Sequence, residues 1–187
     1  MKSLIVYVSG HHNNTEQVAR VLAKNLEADM KNMVLDTADA HNSYYKTLWR
    51  GRPHDRWNVT KLEQIDSKVL AGYDLIGFGS GAYYFKLHPC LFQFIDRFPP
   101  LKNKKAFIFT TSGLTSKFFV NLYHNPLKAK LQSKGFDVIG EFNCPGFDTF
   151  GAAKIIGLGG LKKGRPSVQD LKNAEAFAKK IAAKTNS

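Results

Sequence analysis

Apolar and polar residues along the chain follow two alternating patterns, a short continuous apolar run and a longer stripe at helical spacing. The first run, at 4–8, is rich in β-branched residues, which is typical of a strand buried on both faces of a sheet. The period then changes, and apolar positions over 18–26 form one stripe of a helix. Asn14 followed by Gln17 three residues later predicts a capping pair, so the helix is expected to begin near Thr15.

The same alternation of strands and helices continues through the rest of the chain. Further strands are predicted at 33–37, 73–79, 106–111 and 136–143, and further helices at 62–70, at 89–98, from Asn125 and Pro126 to Gly135, and from Ser167 onward. Each connection is long enough for a right-handed crossover, which predicts a parallel sheet with helices on both faces. We therefore expect an α/β protein, a three-layer α/β/α sandwich around a five-stranded parallel sheet, folded as one domain over 1–187.

Three loops rich in hydroxyl and glycine residues follow the first, third and fourth predicted strands. Because parallel strands end at one edge of the sheet, these loops are expected to meet there, where ligands bind in open α/β folds. The first loop also leads into a helix N-terminus, whose free N–H groups and positive dipole end suit an anion. Gly77, Gly79 and Gly81 are expected to let a ligand or other backbone come close to the third strand. The candidate binding residues are Ser9, Gly10, His11, His12, Asn13, Asn14 and Thr15 in the first loop, Ser80, Gly81, Ala82, Tyr83, Tyr84 and Phe85 in the second, and Thr111, Ser112 and Gly113 in the third.

These loops resemble those of the flavodoxin-like flavoproteins. The first reads S-G-H-H-N-N-T and is similar to the T/S-x-T-G-N-T phosphate loop of that family, with Ser9, Asn14 and Thr15 matching and His11 and His12 departing from the pattern. The segment YDLIGFGSGAYYFKLHP resembles the family's third strand and second FMN loop, in a branch that reads near G-S-G-I-Y. A C-P-G-F-D-T segment and a G-R-P turn resemble the tail of the same branch. The resemblance covers nearly the whole chain apart from about 41–60, and it implies the flavodoxin-like strand order 2-1-3-4-5.

The resemblance also implies a cofactor, FMN, and a role for each loop. The first loop would hold the phosphate, an aromatic residue among Tyr83, Tyr84 and Phe85 would cover the flavin ring, and the backbone at 111–113 would bond the pyrimidine edge. In such proteins the flavin supplies the chemistry, and the protein carries electrons by one-electron or hydride transfer without a catalytic acid or base of its own.

The charge of the chain bears on its partners. The formal charge is +12, and it is concentrated in the second half: residues 1–100 carry 12 Lys and Arg against 10 Asp and Glu, whereas residues 101–187 carry 15 against 5. Most electron-carrying flavodoxins are acidic, so the basic balance argues against an ordinary low-potential shuttle. It favours an acidic redox partner protein, an anionic small-molecule electron acceptor or a membrane surface. No zinc spacing, RNA-binding aromatic signature or recognition helix is found, so nucleic acid is not expected as a partner.

Cysteine usage and hydropathy bear on disulfides, metal binding and membrane insertion. Cys90 and Cys144 have no close spacing, and we expect two free thiols and no metal site. No apolar run approaches the roughly 20 residues that span a bilayer, and no secretory signal is found, so a soluble, cytoplasmic protein without an integral membrane segment is expected.

Two parts of the chain and two alternative functions stay open on the sequence alone. The aromatic and basic stretch at 41–60 is either an insertion that folds back onto the body or a lid over a substrate or a partner. Lys162, Lys163 and Arg165 form either a solvated basic turn or a group that neutralises a phosphate or receives an acidic partner. The same fold would also suit an NAD(P)H-dependent quinone or nitro-compound reductase, which is an FMN-dependent oxidoreductase, or a flavin-free binding module.

Overall fold

Eleven elements build the described part of the chain. The computed structural model describes residues 1–9, 13–33, 67–83, 85–101, 104–148 and 162–186. In chain order the elements are β1 (Ser3–Val8), α1 (Asn14–Leu26), β2 (Asp29–Asn32), α2 (Ser67–Ala71), β3 (Leu75–Tyr83), β4 (Lys86–Leu87), α3 (Pro89–Asp96), β5 (Lys104–Ser112), α4 (Lys117–Ser133), β6 (Phe136–Pro145) and α5 (Val168–Asn186).

Five of the strands run parallel in the order β2-β1-β3-β5-β6. This order is the predicted 2-1-3-4-5 arrangement, so the flavodoxin-like α/β fold is confirmed. The sequence pattern did not predict β4, a two-residue strand that returns antiparallel along β3 and pairs Ala82 with Leu87. It makes a small hairpin at the end of the central strand.

Two apolar cores lie on opposite faces of the sheet. Alternate residues of β1 point to opposite faces, with Leu4 and Val6 in one core and Ile5 and Tyr7 in the other. The first core is completed by α3 and α4, and the second by α1 and α5. All six residues of β1 are buried, as its continuous apolar run predicts. The result is the expected three-layer sandwich.

The second strand lies earlier than predicted. β2 (Asp29–Asn32) pairs with 4–7 of β1, Met33 follows the strand, and 34–37 lie outside the described residues. The error has a physical cause, because β2 is a polar and mostly exposed edge strand. Such a strand is held by backbone hydrogen bonds to β1, so its sequence contains no apolar run that would reveal it.

Helix α4 also begins earlier than predicted. Asn125 and Pro126 were expected to start it, but the helix begins at Lys117, and Pro126 lies inside it. An internal proline removes one backbone hydrogen bond and costs about 3 kcal/mol. Burial of Tyr123, Leu127 and other apolar residues of α4 in the first core offsets this cost. The predicted end of the helix is confirmed, since Gly135 follows it with φ 84°.

Two of the three glycines of β3 serve a different purpose from the expected one. Phe107 and Phe109 of the neighbouring strand lie against Gly77 and Gly79, where an added Cβ would lie 2.3 and 2.0 Å from their ring atoms. These two glycines therefore make room for core aromatic rings and not for a ligand. Among the described residues, no helix is long and apolar enough to cross a membrane.

Candidate functional site

A cleft, open to solvent, lies at the carboxyl edge of the sheet. It is lined by residues from all three predicted loops and from one further segment: Asn14, Thr15, Gly81, Ala82, Thr111, Ser112, Gly113, Gly146, Phe147 and Asp148. The structure thus brings together parts of the first, second and third loops, as their common position after parallel strands predicts.

The first loop ends at the N-terminus of α1, beside the cleft. Asn13 has a left-handed backbone with φ 53°, and the Oγ of Ser9 accepts a hydrogen bond of 3.2 Å from the Glu16 N–H. Ser9 therefore satisfies an amide of the first turn. The predicted Asn14–Gln17 capping pair is wrong, because Asn14 is the first residue of the helix and its Nδ2 donates to the Phe147 carbonyl at 2.8 Å.

A buried hydroxyl pair joins the first and third loops. The Oγ1 atoms of Thr15 and Thr111 lie 2.8 Å apart, and both side chains are at most 4% exposed. Ser112 accepts a hydrogen bond from the buried Tyr123 hydroxyl at 2.9 Å. Hydroxyl groups on this side of the cleft are consequently held in fixed positions.

A fourth segment, 146–148, closes the cleft and was not among the predicted site residues. The Gly146 N–H donates to the Ser112 carbonyl at 2.9 Å. Asp148 lies so close to Gly113 that a Cβ there would be 2.9 Å from the Asp148 Cβ and Oδ2, so this approach needs glycine. The signal that could have found the segment is its position after the last parallel strand, at the same edge as the other loops.

The second loop contributes Gly81 and Ala82 to the cleft and places its other described residues elsewhere. The Ser80 hydroxyl donates to the Gly81 carbonyl at 2.8 Å and accepts from the His88 N–H at 3.1 Å, which holds the β3–β4 hairpin. Phe85, with φ 62°, is 46% exposed and stacks on Phe119 with ring centroids 5.1 Å apart.

Several predicted residues lie outside what the structure describes. They are Gly10, His11, His12, Tyr84 and the side chain of Tyr83. The stretch at 41–60 also lies outside the described residues. The expectation that an aromatic residue of the second loop covers a ring stays a prediction.

The basic turn before α5 is partly neutralised by a partner of its own. Arg165 Nη1 lies 2.7 Å from both carboxylate oxygens of Asp170. Asp170 also accepts a hydrogen bond of 2.7 Å from the Ser167 N–H, and its own N–H donates to the Ser167 Oγ, which is a capping box. The Arg165 carbonyl accepts from the Phe147 N–H at 3.3 Å. Arg165 therefore anchors 146–148 and α5, while Lys162 and Lys163 are exposed.

Ionisable groups are scarce at the cleft. Among the described residues that line it, only Asp148 can ionise. Cys90 and Cys144 are free, as expected, and they are also buried, which raises the pKa of these thiols to about 11 and about 12. Neither is a thiolate at neutral pH. The described cleft is therefore equipped to bind a molecule by hydroxyl, amide and backbone groups, and poorly equipped for acid–base or nucleophilic chemistry of its own.

Exposed apolar side chains lie beside the second and third loops. Phe118 is 68% exposed, Leu122 45% and Leu114 41%. The Phe118 ring contacts that of Phe119 at a centroid distance of 5.4 Å, and Phe119 in turn stacks on Phe85. The rings of Phe85, Phe119 and Phe118 are thus in contact one after another, and we call these three residues together with Leu114 and Leu122 the aromatic rim.

Known proteins resemble this chain in sequence and in fold. No model of a known protein family matches it. Among solved structures, a flavodoxin from the domain Archaea superposes with a TM-score of 0.60 at 16% identity and 100% coverage of both chains. A flavoprotein of Lactobacillus acidophilus, solved in complex with FMN, superposes with a TM-score of 0.52 at 19% identity, covering 76% of this chain and 92% of that one.

These structural likenesses establish the fold, and a sequence relative establishes the family. An uncharacterized protein of Methanocaldococcus jannaschii is 39% identical over 181 residues, which is 97% of this chain and 98% of that protein. The chain therefore has the flavodoxin fold and belongs to the same protein family as this archaeal protein.

Proposed function

We propose that the chain binds FMN in the cleft and carries electrons. The observation that carries the proposal is the meeting of the loops after β1, β3 and β5 in one cleft at the N-terminus of α1. In open α/β folds this is the place where ligands bind, and a helix N-terminus there favours an anionic group such as a phosphate. The FMN complex of a protein with the same fold supports the choice of cofactor.

The residues at the cleft fit this cofactor. Thr15, Thr111 and Ser112 supply hydroxyl groups, and Gly81 and Gly113 leave backbone accessible to a flat ring. The phosphate is proposed to lie at the first loop, near Ser9, Gly10, His12, Asn14 and Thr15. FMN, when bound, supplies one-electron or hydride chemistry, so the scarcity of acid–base groups in the described lining is no obstacle. The chain's own part is to bind the molecule, orient it and exclude water.

The aromatic rim favours a protein as the redox partner. Contiguous exposed apolar side chains mark interaction surfaces, and the exposed Lys86 and Lys117 stand next to Phe85 and Phe118 in the sequence. A surface of aromatic and cationic groups next to the cleft fits an acidic protein that exchanges electrons with it. A small-molecule reductase remains the second interpretation, and steady-state oxidation of NADPH with a quinone, in the absence of other proteins, would favour it.

Titration with FMN tests the proposal directly. The purified protein is mixed with FMN, and the quenching of flavin fluorescence and the visible spectrum are followed to one equivalent. Stoichiometric quenching is the expected result, whereas unchanged fluorescence at protein concentrations far above that of FMN would reject the cofactor.

A double variant tests the position of the phosphate. Ser9→Ala combined with Thr15→Ala is expected to weaken FMN binding by well over about 1 kcal/mol, the net contribution of one hydrogen bond. Ser133→Ala is a matched control, since this exposed serine at the end of α4 bonds only locally, to the Lys130 carbonyl. Unchanged affinity in a folded double variant would exclude this phosphate site.

A further inference from the structure

A chain of hydrogen-bonded side chains leads from the surface of β6 through the first core to the cleft. His124 of α4 is 2% exposed; its Nδ1 lies 3.0 Å from Oε2 of Glu141 and its Nε2 lies 2.7 Å from Oγ1 of Thr110. Thr110 continues to Asn143, whose Oδ1 is 2.9 Å away. The same Oδ1 lies 3.1 Å from Oγ of Ser112, which lines the cleft, and 3.1 Å from the hydroxyl of the buried Tyr123.

The chemistry of these groups fixes where protons lie. A carboxylate only accepts hydrogen bonds, so Nδ1 of His124 carries a proton and donates it to Glu141. In the neutral imidazole Nε2 is then an acceptor, and the Thr110 hydroxyl donates to it. In the protonated imidazole Nε2 donates to Thr110, and the Thr110 proton turns to Asn143. One proton on His124 thus reverses the hydroxyl of Thr110 and changes the hydrogen bonding of Asn143 next to the cleft.

The surroundings of His124 act on its pKa in opposite directions, and the net effect lowers it. Burial lowers its pKa, while the bond to Glu141 opposes that shift. Among the described residues, Glu141 on β6 and Lys128 on α4 are the charged groups that act on it. Burial tends to raise the pKa of Glu141, but its bonds to Lys128 at 2.8 Å and to His124 hold that pKa below its ordinary value. The imidazole is therefore a buried neutral base that faces an ionised carboxylate.

We propose that His124 is a positioning residue for the reduction of FMN bound in the cleft. It takes up one proton at Nε2 when an external donor adds one electron to the molecule in the cleft. The inference rests on the proposed FMN function. The electron comes from the redox partner, or from dithionite in an experiment, and the proton comes from solvent. The imidazolium is then paired with Glu141 and compensates the added negative charge through Thr110 and Asn143. A histidine that only packs the core, without a link to the cleft, would keep the same proton affinity in both redox states.

NMR titration of the histidine rings tests the proposal on the intact protein. FMN binding is first established by fluorescence, and the imidazole of His124 is then titrated in the oxidised and the dithionite-reduced complex. His124→Gln identifies its resonance among the six histidines of the chain. The proton affinity of His124 is expected to rise at least about tenfold on reduction, as nearby charges commonly shift a pKa by a unit or more. Equal affinity in both states would overturn the inference while leaving the FMN proposal intact; failure of FMN to bind would reject the FMN proposal itself.

The reduction potential gives a second readout. In the pH range where His124 takes up one proton per electron, a tenfold change in proton concentration changes the equilibrium constant of reduction tenfold. This corresponds to a change of about 59 mV in the reduction potential per pH unit. His124→Gln is expected to remove this contribution from the slope of potential against pH. Glu141→Gln, at a more exposed position, is the second variant if His124→Gln does not fold. It removes the carboxylate that stabilises the imidazolium, so the pH range in which the reduction potential depends on pH is expected to move to lower pH. Identical slopes and ranges in the wild type and the variant that folds would contradict the coupling.

Discussion

Replacing Gly79 with alanine is expected to destabilise the centre of the sheet through one neighbouring ring. The added Cβ would lie 2.0 Å from Cζ of Phe109 and within 2.5 Å of both Cε atoms. Phe109 is fully buried, so its ring cannot move aside without displacing other core residues. Overpacking usually costs about 1–3 kcal/mol, and a contact this short places Gly79→Ala at or above the upper end.

The three ring atoms in conflict are atoms that leucine lacks. Phe109→Leu alone should cost about 1–2 kcal/mol for the lost contacts. Combined with Gly79→Ala it makes room for the new methyl group, so the double variant is expected to be at least about 1 kcal/mol more stable than the sum of the two costs. A matched control is Gly77→Ala with Phe109→Leu. Its effects should couple less, because the ring against Gly77 belongs to Phe107, whose centroid lies 6.1 Å from that of Phe109.

Urea unfolding followed by circular dichroism measures the free energies of unfolding of the wild type, the two single variants and the double variant. Equal slopes m confirm that the same unfolding transition is compared in all four. If the costs of Gly79→Ala and Phe109→Leu add within about 0.5 kcal/mol, the two residues are not coupled and the reasoning from the close contact is refuted.

Three other predictions concern the cleft and its supports. Thr15→Val and Thr111→Val should each lower the free energy of unfolding by about 1 kcal/mol, because each leaves a buried hydroxyl unpaired. The double variant should cost less than the sum of the two and should still bind FMN more weakly than the wild type. Thermal unfolding and flavin fluorescence measure the two effects, and unchanged affinity would show that neither hydroxyl belongs to the FMN site. Burial tends to raise the pKa of Asp170, but its hydrogen bonds hold that pKa below the ordinary value, so its stabilisation is fully present above about pH 4 and is lost as the pH falls through the folded pKa. Asp170→Asn should therefore cost about 1–2 kcal/mol at pH 7 and less in acid, and a pH-independent difference would show that the carboxylate charge is not what stabilises α5. Cys90 and Cys144 should resist a thiol reagent at pH 8 in the native protein and react in denaturant; rapid reaction of the native protein would contradict their burial.

The sequence pattern predicts well those features that depend on apolar burial. In the run at 4–8 and the stripe at 18–26 the apolar residues are the ones that become buried, and β1 and α1 lie where these patterns place them. Parallel topology then follows from the length of the connections, and the meeting of the loops follows from topology. Much of the cleft could be placed in this way without knowing any contact.

Features that depend on polar contacts across the fold could not be predicted in the same way. The edge strand β2 has no apolar run, and the start of α4 is concealed because no residue of this helix before Tyr123 is fully buried. Asn14 satisfies every local rule for a cap, yet its side chain bonds the distant Phe147 carbonyl, and Ser9 takes over the helix amide. Such partners are chosen by tertiary structure, which local spacing does not encode.

The hydrogen bond between Asn14 and the Phe147 carbonyl links residues 133 positions apart, and this separation bears on the order of folding. The walls of the cleft can meet only after β3, β5 and β6 have been placed beside β1, because the bond closes over nearly the whole sheet. Contacts of such long range form late, once the entropy of closing the intervening chain has been offset by the core. The cleft is therefore a property of the completed domain, and a ligand bound in it would stabilise the native state as a whole by mass action, not one local segment.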